Sequence, residues 1–291
     1  MRILLTGRTG QVGWELERAL PLLGEVIATD RSRLDLASAD AIRKVVRETK
    51  PEMIVNAAAY TAVDRAESES QLAMQINGIA PGVLADEASR LGALLVHYST
   101  DYIFDGENRL AYGETDTPNP INVYGRTKLE GEKRIGAADC RYLILRTSWV
   151  YAPRGKNFFL TIEKKIRAGE ELRVVADQHG VPTEAKFIAE MTVALLHGGA
   201  EGTFHVVPWG STTWHGFASE IAKRLGAEKP IQAIASSEYP TPARRPRNSV
   251  LDCMKLAERL GVLPPEWQSL LDRCMKQWLR GSDDLSPTGE N

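Results

Sequence analysis

The sequence lacks the features that mark membrane, secreted and nucleic-acid-binding proteins. No apolar run approaches the roughly 18 to 20 residues that a helix needs to cross a bilayer. The short apolar run after Met1 ends in Thr-Gly, with no cleavage-site pattern behind it, so we expect no signal peptide. Charge is balanced, with 36 Lys and Arg against 38 Asp and Glu. We therefore expect neither a nucleic acid nor a membrane as partner.

Cysteine and histidine are scarce, and neither is spaced as metal ligands are. Cys140, Cys253 and Cys274 lie far apart, with no C-x-x-C pair, and the five histidines show no ligand spacing. We expect reduced thiols in a cytoplasmic protein and predict no metal site from these residues.

Short β-rich runs alternate with helical patterns in the first half of the chain, as they do in βαβ units. We predict strands at 2–6, 25–29, 53–56, 94–99 and 142–147, and helices at 12–22, 39–49 and 72–91, the last kinked near Pro81. Strands that are apolar nearly throughout indicate burial on both faces. The sequence thus predicts an α/β fold with a Rossmann-type, doubly wound parallel sheet.

The pattern changes after about Trp149, where helices shorten and Pro and Gly cluster. We predict a dinucleotide-binding domain over 1–150, a smaller α/β substrate-binding lobe over 151–280 and a flexible tail over 281–291. Strand candidates at 172–176 and 203–207 fit either unit. The first domain is therefore expected to receive a strand or helix from about 172–207.

Three glycines, Gly7, Gly10 and Gly13, form G-x-x-G-x-x-G between the first strand and the first helix. Glycine permits a tight turn and lets backbone N–H groups approach a pyrophosphate at the helix N-terminus. In this strand–turn–helix context the pattern predicts a dinucleotide site, whereas alone it would fit any strand-to-helix turn.

Asp30 ends the second strand, where an acid can bind the adenosine ribose of a dinucleotide. Arg31 follows it and could pair with a 2′-phosphate, so the two residues favour NADH and NADPH respectively. Asp35 and Leu36 are placed to meet the adenine, although Asp35 also suits a helix N-cap or a turn. The choice between NADPH and NADH stays open.

Tyr124 and Lys128 stand four residues apart in VYGRTKLEGEK, a spacing that places both on one face of a helix. A nearby ammonium favours the phenolate, so we expect the pKa of Tyr124 to be lowered, which would make it a proton donor at neutral pH. A strand-end hydroxyl, Ser99 or Thr100, could hold the substrate carbonyl. Its alternative role is to cap the end of the strand.

Together, TGxxGxxG, the strand-end hydroxyl and YxxxK resemble the extended short-chain dehydrogenase/reductase family. The resemblance extends from the N-terminus to about residue 280. It is strongest to the branch of the family that reduces dTDP-linked keto sugars. Eight ordered segments carry it: 4–16, 55–67, 97–106, 122–132, 145–158, 177–183, 212–218 and 239–249. It implies that NADPH or NADH reduces the 4-keto group of dTDP-4-dehydro-L-rhamnose to dTDP-L-rhamnose.

The resemblance also implies roles for individual residues. The catalytic set is Thr100, Tyr124 and Lys128. The cofactor-binding set includes the three glycines, Tyr124 and Lys128. Its other members are Gln11, Val12, Asp30, Arg31, Asp35, Leu36, Ala59, Tyr60 and Thr61. The substrate-binding set is Thr100, Asp101, Trp149, Asn157 and Arg245. Trp149 also suits a core aromatic position. Asn157 and Arg245 are expected to contact the diphosphate of the nucleotide, where Arg244 or Arg247 could take the place of Arg245.

Two other functions use the same motifs. A nucleotide-sugar epimerase or dehydratase keeps tightly bound NAD⁺ and consumes no NAD(P)H, and a regulatory subunit binds NADP(H) without turnover. Some relatives dimerise through carboxylates around Mg²⁺, and Glu15 and Glu190 match two of those positions. The C-terminal acid is replaced within QWLRG (277–281), so we expect no such metal bridge in a possible homodimer.

Overall fold

A computed structural model describes residues 1–283 of the chain. Through the first half the elements are β1 (Arg2–Thr6), α1 (Gln11–Ala19), β2 (Glu25–Thr29), α2 (Ala39–Thr49), β3 (Met53–Asn56), α3 (Val63–Ala66), α4 (Ser70–Met74), a π-helical turn (Gln75–Ile79), α5 (Ala80–Leu91), β4 (Leu94–Thr100), α6 (Val123–Ala137) and β5 (Arg141–Thr147). They are followed by β6 (Val150–Tyr151), α7 (Phe158–Arg167), β7 (Arg173–Val175), β8 (His179–Gly180), β9 (Thr183–Glu184), α8 (Ala185–His197), β10 (Gly202–His205), β11 (Thr212–Thr213), α9 (Trp214–Arg224), β12 (Gln232–Ile234), α10 (Met254–Leu260) and α11 (Trp267–Asp283). Short 3₁₀ turns lie at Leu20–Leu22, Asp101–Ile103 and Ser236–Glu238.

Six parallel strands form the central sheet in the order β10-β5-β4-β3-β1-β2. The order reverses between β1 and β3, so the carboxyl ends of these strands open a crevice at that point. The predicted doubly wound α/β fold is confirmed, and the five strands predicted in the first half match β1 to β5 within a residue or two.

Apolar side chains cover both faces of the sheet, which explains why its strands have almost no polar positions. On one face α1 and α8 pack with residues such as Leu16 and Phe187, and on the other α2, α5 and α6 pack with residues such as Val46 and Ile135. A separate apolar cluster around Phe159, Phe217 and Leu271 joins α7, α9 and α11.

The chain returns to the central sheet after the smaller lobe has begun. Strand candidate 203–207 lies in the sheet as β10, paired with β5, whereas candidate 172–176 is β7 and pairs with β12 outside it. The division into a domain at 1–150 and a lobe at 151–280 stays a prediction about folding units.

The helical run after β3 is continuous from Ser70 to Leu91 but contains a π-helical turn at Gln75–Ile79. Pro81 is the second residue of α5, which directly follows this turn, and the kink near it stays a prediction. Helix α11 runs through Asp283, and the rest of the predicted tail lies outside the described residues. Within 1–283, no helix is long and apolar enough to cross a membrane.

Candidate active site

The glycine turn forms the floor of a cleft of about 610 Å³ at the carboxyl ends of β1 to β4. Gly7 has a φ of +74°, and a Cβ there would lie 2.8 Å from the backbone of Ala58. A Cβ on Gly13 would lie 2.0 Å from the Gly7 carbonyl oxygen. Gly10 caps α1 without a side chain, so the helix N-terminus faces the cleft with its backbone N–H groups uncovered.

The acidic end of β2 forms one wall of this cleft. Asp30 Oδ1 accepts hydrogen bonds from the backbone N and the hydroxyl of Ser32, at 3.0 and 2.6 Å, and these bonds lower the pKa of Asp30. The Arg31 side chain is 80% exposed and only 3.9 Å from Asp35. Asp35 also accepts from Ala37 N at 3.0 Å, which is the turn role that its alternative assignment predicts. Leu36 lines the cleft beside it.

The loop after β3 is fixed by a residue that the sequence did not single out. Asn77, in the π-helical turn, accepts from Tyr60 N at 2.8 Å and donates to Tyr60 O at 3.0 Å. Its amide also donates to Thr127 Oγ1 of α6 at 3.2 Å. An asparagine within a helix gave no signal, because its role depends on the π-helical turn that points it at the loop.

Asn122 caps the N-terminus of helix α6, where its side chain accepts from Gly125 N at 2.7 Å. Gly125 is required there, because a Cβ would lie 2.0 Å from the Tyr102 carbonyl oxygen. This close approach brings Tyr124 and Lys128 into the same cleft as the glycine turn.

The expected lowering of the Tyr124 pKa is wrong for this structure. Burial and the nearby Asp101 carboxyl together raise the pKa of the Tyr124 phenol to about 12, although the Thr100 hydroxyl opposes the rise. The Lys128 ammonium is not directed at the phenol. Lys128 Nζ instead donates to the Tyr98 carbonyl at 2.5 Å and lies 3.2 Å from His97 Nε2. Burial lowers the pKa of Lys128 to about 8.

The strand-end hydroxyls lie beside Tyr124. Thr100 Oγ1 donates to Asp101 Oδ1 at 2.9 Å and accepts from Tyr102 N at 3.1 Å, so Thr100 also has its alternative capping role. Ser99 Oγ lines the cleft and, like Asp101 Oδ2, is buried without a hydrogen-bond partner. Burial raises the pKa of Asp101 to about 7.

Trp149 adopts a left-handed backbone conformation, with a φ of +43°, at the carboxyl end of β5. Its ring stacks on Trp214 at 3.6 Å between centroids. A Cβ on Gly180 would lie 2.4 Å from the Trp149 ring, so this glycine leaves room for it. A bulky residue held at positive φ is strained, and such strain is typical of functional sites.

Asn157 and Arg245 are occupied by contacts within the protein. Asn157 caps α7 and donates its amide protons to Gln11 Oε1 at 2.7 Å and to the Ala152 carbonyl at 2.9 Å. Arg245 Nη2 donates to Asp64 Oδ2 at 2.8 Å. A diphosphate contact from the Asn157 amide would require one of its bonds to break, whereas the Arg245 guanidinium has five N–H donors and could add a contact.

Residues of the predicted site therefore fall into two groups. The cleft is lined by Gly7, Gly10, Gln11, Val12, Asp30, Arg31, Asp35, Leu36, Ala59, Tyr60, Thr61, Tyr124 and Lys128. The lining does not include Gly13, Thr100, Asp101, Trp149, Asn157 or Arg245.

The cleft also has basic residues that sequence reasoning missed, Arg154 and Lys156. The Arg154 guanidinium lies 3.5 Å above the Trp14 indole, and its Nη1 is buried without a hydrogen-bond partner. The basic stretch PRGK (153–156) was the available signal, but only the fold brings it to the N-terminus of α1.

One of the carboxylates considered for a metal bridge, Glu190, is held in an ion pair. Arg273 pairs with Glu190 at 2.8 Å and also with Glu184. Within the described part of the chain, no group of three or more His, Cys, Asp or Glu could hold a metal ion.

Comparison with known proteins identifies the family. The model of the RmlD substrate binding domain matches residues 1–280. A dTDP-4-dehydrorhamnose reductase of Burkholderia thailandensis is 44% identical over 96% of this chain and 99% of its own. The structure of such a reductase from Clostridium acetobutylicum superposes with a TM-score of 0.92 at 38% identity, covering 96% of this chain and 100% of its own. The structure of the Bacillus anthracis reductase in complex with NADP superposes with a TM-score of 0.91 at 35% identity. The match covers 95% of this chain and 99% of that one. The chain therefore belongs to the family of the RmlD substrate binding domain, that of the dTDP-4-dehydrorhamnose reductases.

Proposed function

We propose that the protein reduces the 4-keto group of dTDP-4-dehydro-L-rhamnose to dTDP-L-rhamnose, with NADPH or NADH as hydride donor. The observation that carries this proposal is the meeting of Tyr124, Lys128 and the glycine turn of α1 in one cleft. The substrate is the one named for the relatives, dTDP-4-dehydrorhamnose reductases that align with nearly the whole chain.

The cleft fits a nicotinamide dinucleotide. Gly7 and Gly10 leave room for a pyrophosphate over the uncovered N–H groups of α1, and the buried, unpartnered Nη1 of Arg154 supplies a further donor for it. Asp30 lines the cleft, where its carboxylate is able to accept from a ribose hydroxyl, and the exposed Arg31 is able to pair with a 2′-phosphate. The cleft is therefore able to hold either NADPH or NADH, and a comparison of turnover with the two cofactors decides which one the protein prefers.

The bound cofactor supplies the hydride, and the protein supplies position and the proton. Tyr124 remains a phenol at neutral pH because its pKa is about 12, so it holds the proton that the emerging alkoxide needs. Thr100, beside it, orients the carbonyl oxygen. Lys128 holds the nicotinamide ribose, and its positive charge stabilises the phenolate that Tyr124 leaves behind.

The sugar is proposed to bind at the carboxyl ends of β4 and β5, beside Tyr124. Trp149 and Asp101 are proposed to contact the sugar, where the unpartnered Asp101 Oδ2 offers a hydrogen-bond acceptor. A contact from Asn157 to the diphosphate would follow only if its present bonds rearrange, whereas Arg245 could donate to the diphosphate while it stays paired with Asp64.

The test mixes purified protein with dTDP-4-dehydro-L-rhamnose and follows the absorbance of NADPH or of NADH. We expect stoichiometric cofactor loss and formation of dTDP-L-rhamnose. Tyr124→Phe should reduce kcat by about 10²- to 10⁴-fold with little change in NADPH binding. Tyr142→Phe, which removes a hydroxyl on β5 away from the cleft, should turn over normally.

Other outcomes identify the alternatives. Retained turnover in Tyr124→Phe would show that another group is the acid. Conversion of a nucleotide sugar without cofactor loss would indicate an epimerase or dehydratase. Binding of NADPH with no turnover of any keto sugar would indicate a regulatory subunit.

A further inference from the structure

Two short segments of the predicted substrate-binding lobe meet at the indole of Trp149. Strand β8 pairs antiparallel with β11, which places Gly180 opposite Thr212. Trp214 follows β11 as the first residue of α9. Gly180 and Trp214 both lie in segments that carry the family resemblance, yet the sequence suggests no role for either of them.

Trp214 stacks on the Trp149 ring. The two indoles are nearly parallel, with 8° between their planes and 3.6 Å between their centroids. The Trp214 ring also packs on Phe158 of α7, with 4.6 Å between centroids. Thr213 fixes the start of α9, because its hydroxyl accepts from Gly216 N at 3.0 Å. These contacts hold Trp214 in place as a surface for the Trp149 ring.

Gly180 leaves the space that the Trp149 ring occupies. A Cβ on this glycine would lie 2.4 to 2.6 Å from three indole atoms, Cε2, Cζ2 and Nε1. The backbone of Gly180 does not have a positive φ, so the ring and not the backbone conformation explains the glycine. A larger residue here would therefore displace the Trp149 ring.

Trp149 needs such support because its backbone conformation is unfavourable. Its φ of +43° lies in the left-handed region, which a bulky side chain seldom adopts. The residue lies just beyond the end of β5, where Thr147 pairs with Thr100 of β4. A strained residue keeps one conformation only where its surroundings determine it. The stacked ring and the close approach of β8 are surroundings of this kind.

We propose that Trp214 and Gly180 are positioning residues, which hold the Trp149 indole in one orientation toward the sugar. A side chain that is fixed before the substrate arrives loses little conformational freedom on binding, which strengthens the binding. Neither Trp214 nor Gly180 lines the dinucleotide cleft, so their effect is confined to the sugar. This inference rests on the proposed function, in which Trp149 contacts the sugar.

Kinetics separate positioning from packing. Trp214→Leu removes the stacked ring, and we expect the KM for dTDP-4-dehydro-L-rhamnose to rise about 10-fold. The KM for NADPH should stay within about twofold of wild type. Trp214→Phe keeps an aromatic ring and should raise the KM for the keto sugar by about threefold or less. An unchanged KM for the keto sugar in Trp214→Leu would overturn the proposal.

Trp278→Leu is the matched control for a loss of packing. Trp278 packs on the same apolar cluster as Trp214, but its ring contacts are Phe159 and Arg167. Both leucine variants should unfold at a lower temperature than the wild type. Only Trp214→Leu should raise the KM for the keto sugar, and an equal rise in Trp278→Leu would assign the effect to packing and refute the proposal.

A double-mutant cycle shows whether the two residues act through Trp149. In a Trp149→Leu background, Trp214→Leu should change the KM for the keto sugar by about twofold or less. Gly180→Ala should raise this KM about 10-fold in the wild-type chain. In Trp149→Leu it should have little effect, because the smaller side chain leaves room for the added Cβ. Independent, multiplying effects in the double variants would contradict a role through Trp149.

A second measurement needs no turnover. Labelling with 5-fluorotryptophan gives ¹⁹F resonances for the six tryptophans, and the one lost in Trp149→Leu is that of Trp149. In Trp214→Leu this resonance should broaden or split, because the ring adopts several orientations, whereas Trp278→Leu should leave it single and narrow. A single, equally narrow Trp149 resonance in Trp214→Leu would show that the ring is held without Trp214, and would refute the proposal.

The same resonance separates this inference from the proposed function. Absence of turnover in the wild-type protein would count against the proposed function alone, because the width of the resonance still shows whether Trp214 fixes the Trp149 ring. Where turnover is present, binding of the product dTDP-L-rhamnose should shift the Trp149 resonance. An unmoved resonance would then overturn the inference, since the positioned ring would not contact the sugar.

Discussion

At the scale of single residues, Arg154, whose buried Nη1 has no hydrogen-bond partner, is the clearest addition to the proposed cofactor site. Arg154 and Arg18 both stack on the Trp14 indole, at 3.5 and 3.4 Å, but only Arg154 lines the cleft. Burial and the charge of Arg18 lower the pKa of Arg154. A phosphate would relieve both effects, because it supplies the opposite charge.

Arg154→Met should therefore raise the KM for NADPH by about 10-fold, the equivalent of one charge-assisted hydrogen bond. At saturating NADPH we expect kcat within about twofold of wild type, since Arg154 takes no part in the proposed proton transfer. Arg18→Met is the matched control, because it removes the same kind of stacking outside the cleft. Equal KM changes in the two variants would assign the effect to Trp14 packing rather than to a phosphate contact.

At the scale of elements, the π-helical turn Gln75–Ile79 joins the loop after β3 to α6. Asn77 pairs with both backbone groups of Tyr60 and with Thr127, and a Cβ on Gly131 of α6 would lie 2.3 Å from the Asn77 carbonyl oxygen. The close approach of the turn to α6 explains why one side chain is able to reach two elements.

Replacing Asn77 by Ala leaves both backbone groups of Tyr60 without their partner. We expect a loss of about 2–4 kcal/mol in the free energy of unfolding, measured by urea denaturation, and a severalfold higher KM for NADPH because the loop loosens. Gln75→Ala, at an exposed position of the same turn, should change neither quantity. Normal NADPH binding in Asn77→Ala would show that the loop is held by other contacts.

At the scale of the whole molecule, the chain crosses between the lobe and the sheet more than once. Helix α8 and strand β10 follow the first part of the lobe, yet α8 packs on α1 and β10 pairs with β5. Phe187, Leu195 and Phe204 belong to the same apolar cluster as Leu5 and Val96 of the central sheet. The predicted dinucleotide-binding domain would be incomplete without them.

A fragment spanning 1–150 should therefore fail to unfold cooperatively, because it exposes the edge of β5 and one apolar face of the sheet. A fragment spanning 1–207 retains α8 and β10 and serves as the control. We expect a cooperative thermal transition, followed by circular dichroism, in the longer fragment alone. A cooperative transition in the shorter fragment would show that 1–150 folds as an independent domain.

The sequence by itself determined the features that depend on neighbouring residues. Alternating apolar strands and helices predicted β1 to β5, and G-x-x-G-x-x-G with Tyr124 and Lys128 predicted the cleft, because turn chemistry and helix spacing are local. The tertiary structure decided what depends on residues distant in the chain. It placed β10 in the sheet, set Asn157 and Arg245 in internal contacts, and directed Lys128 toward His97 rather than Tyr124. These three features depend on burial and on partners more than 30 residues away in the chain. A local sequence pattern does not predict either one.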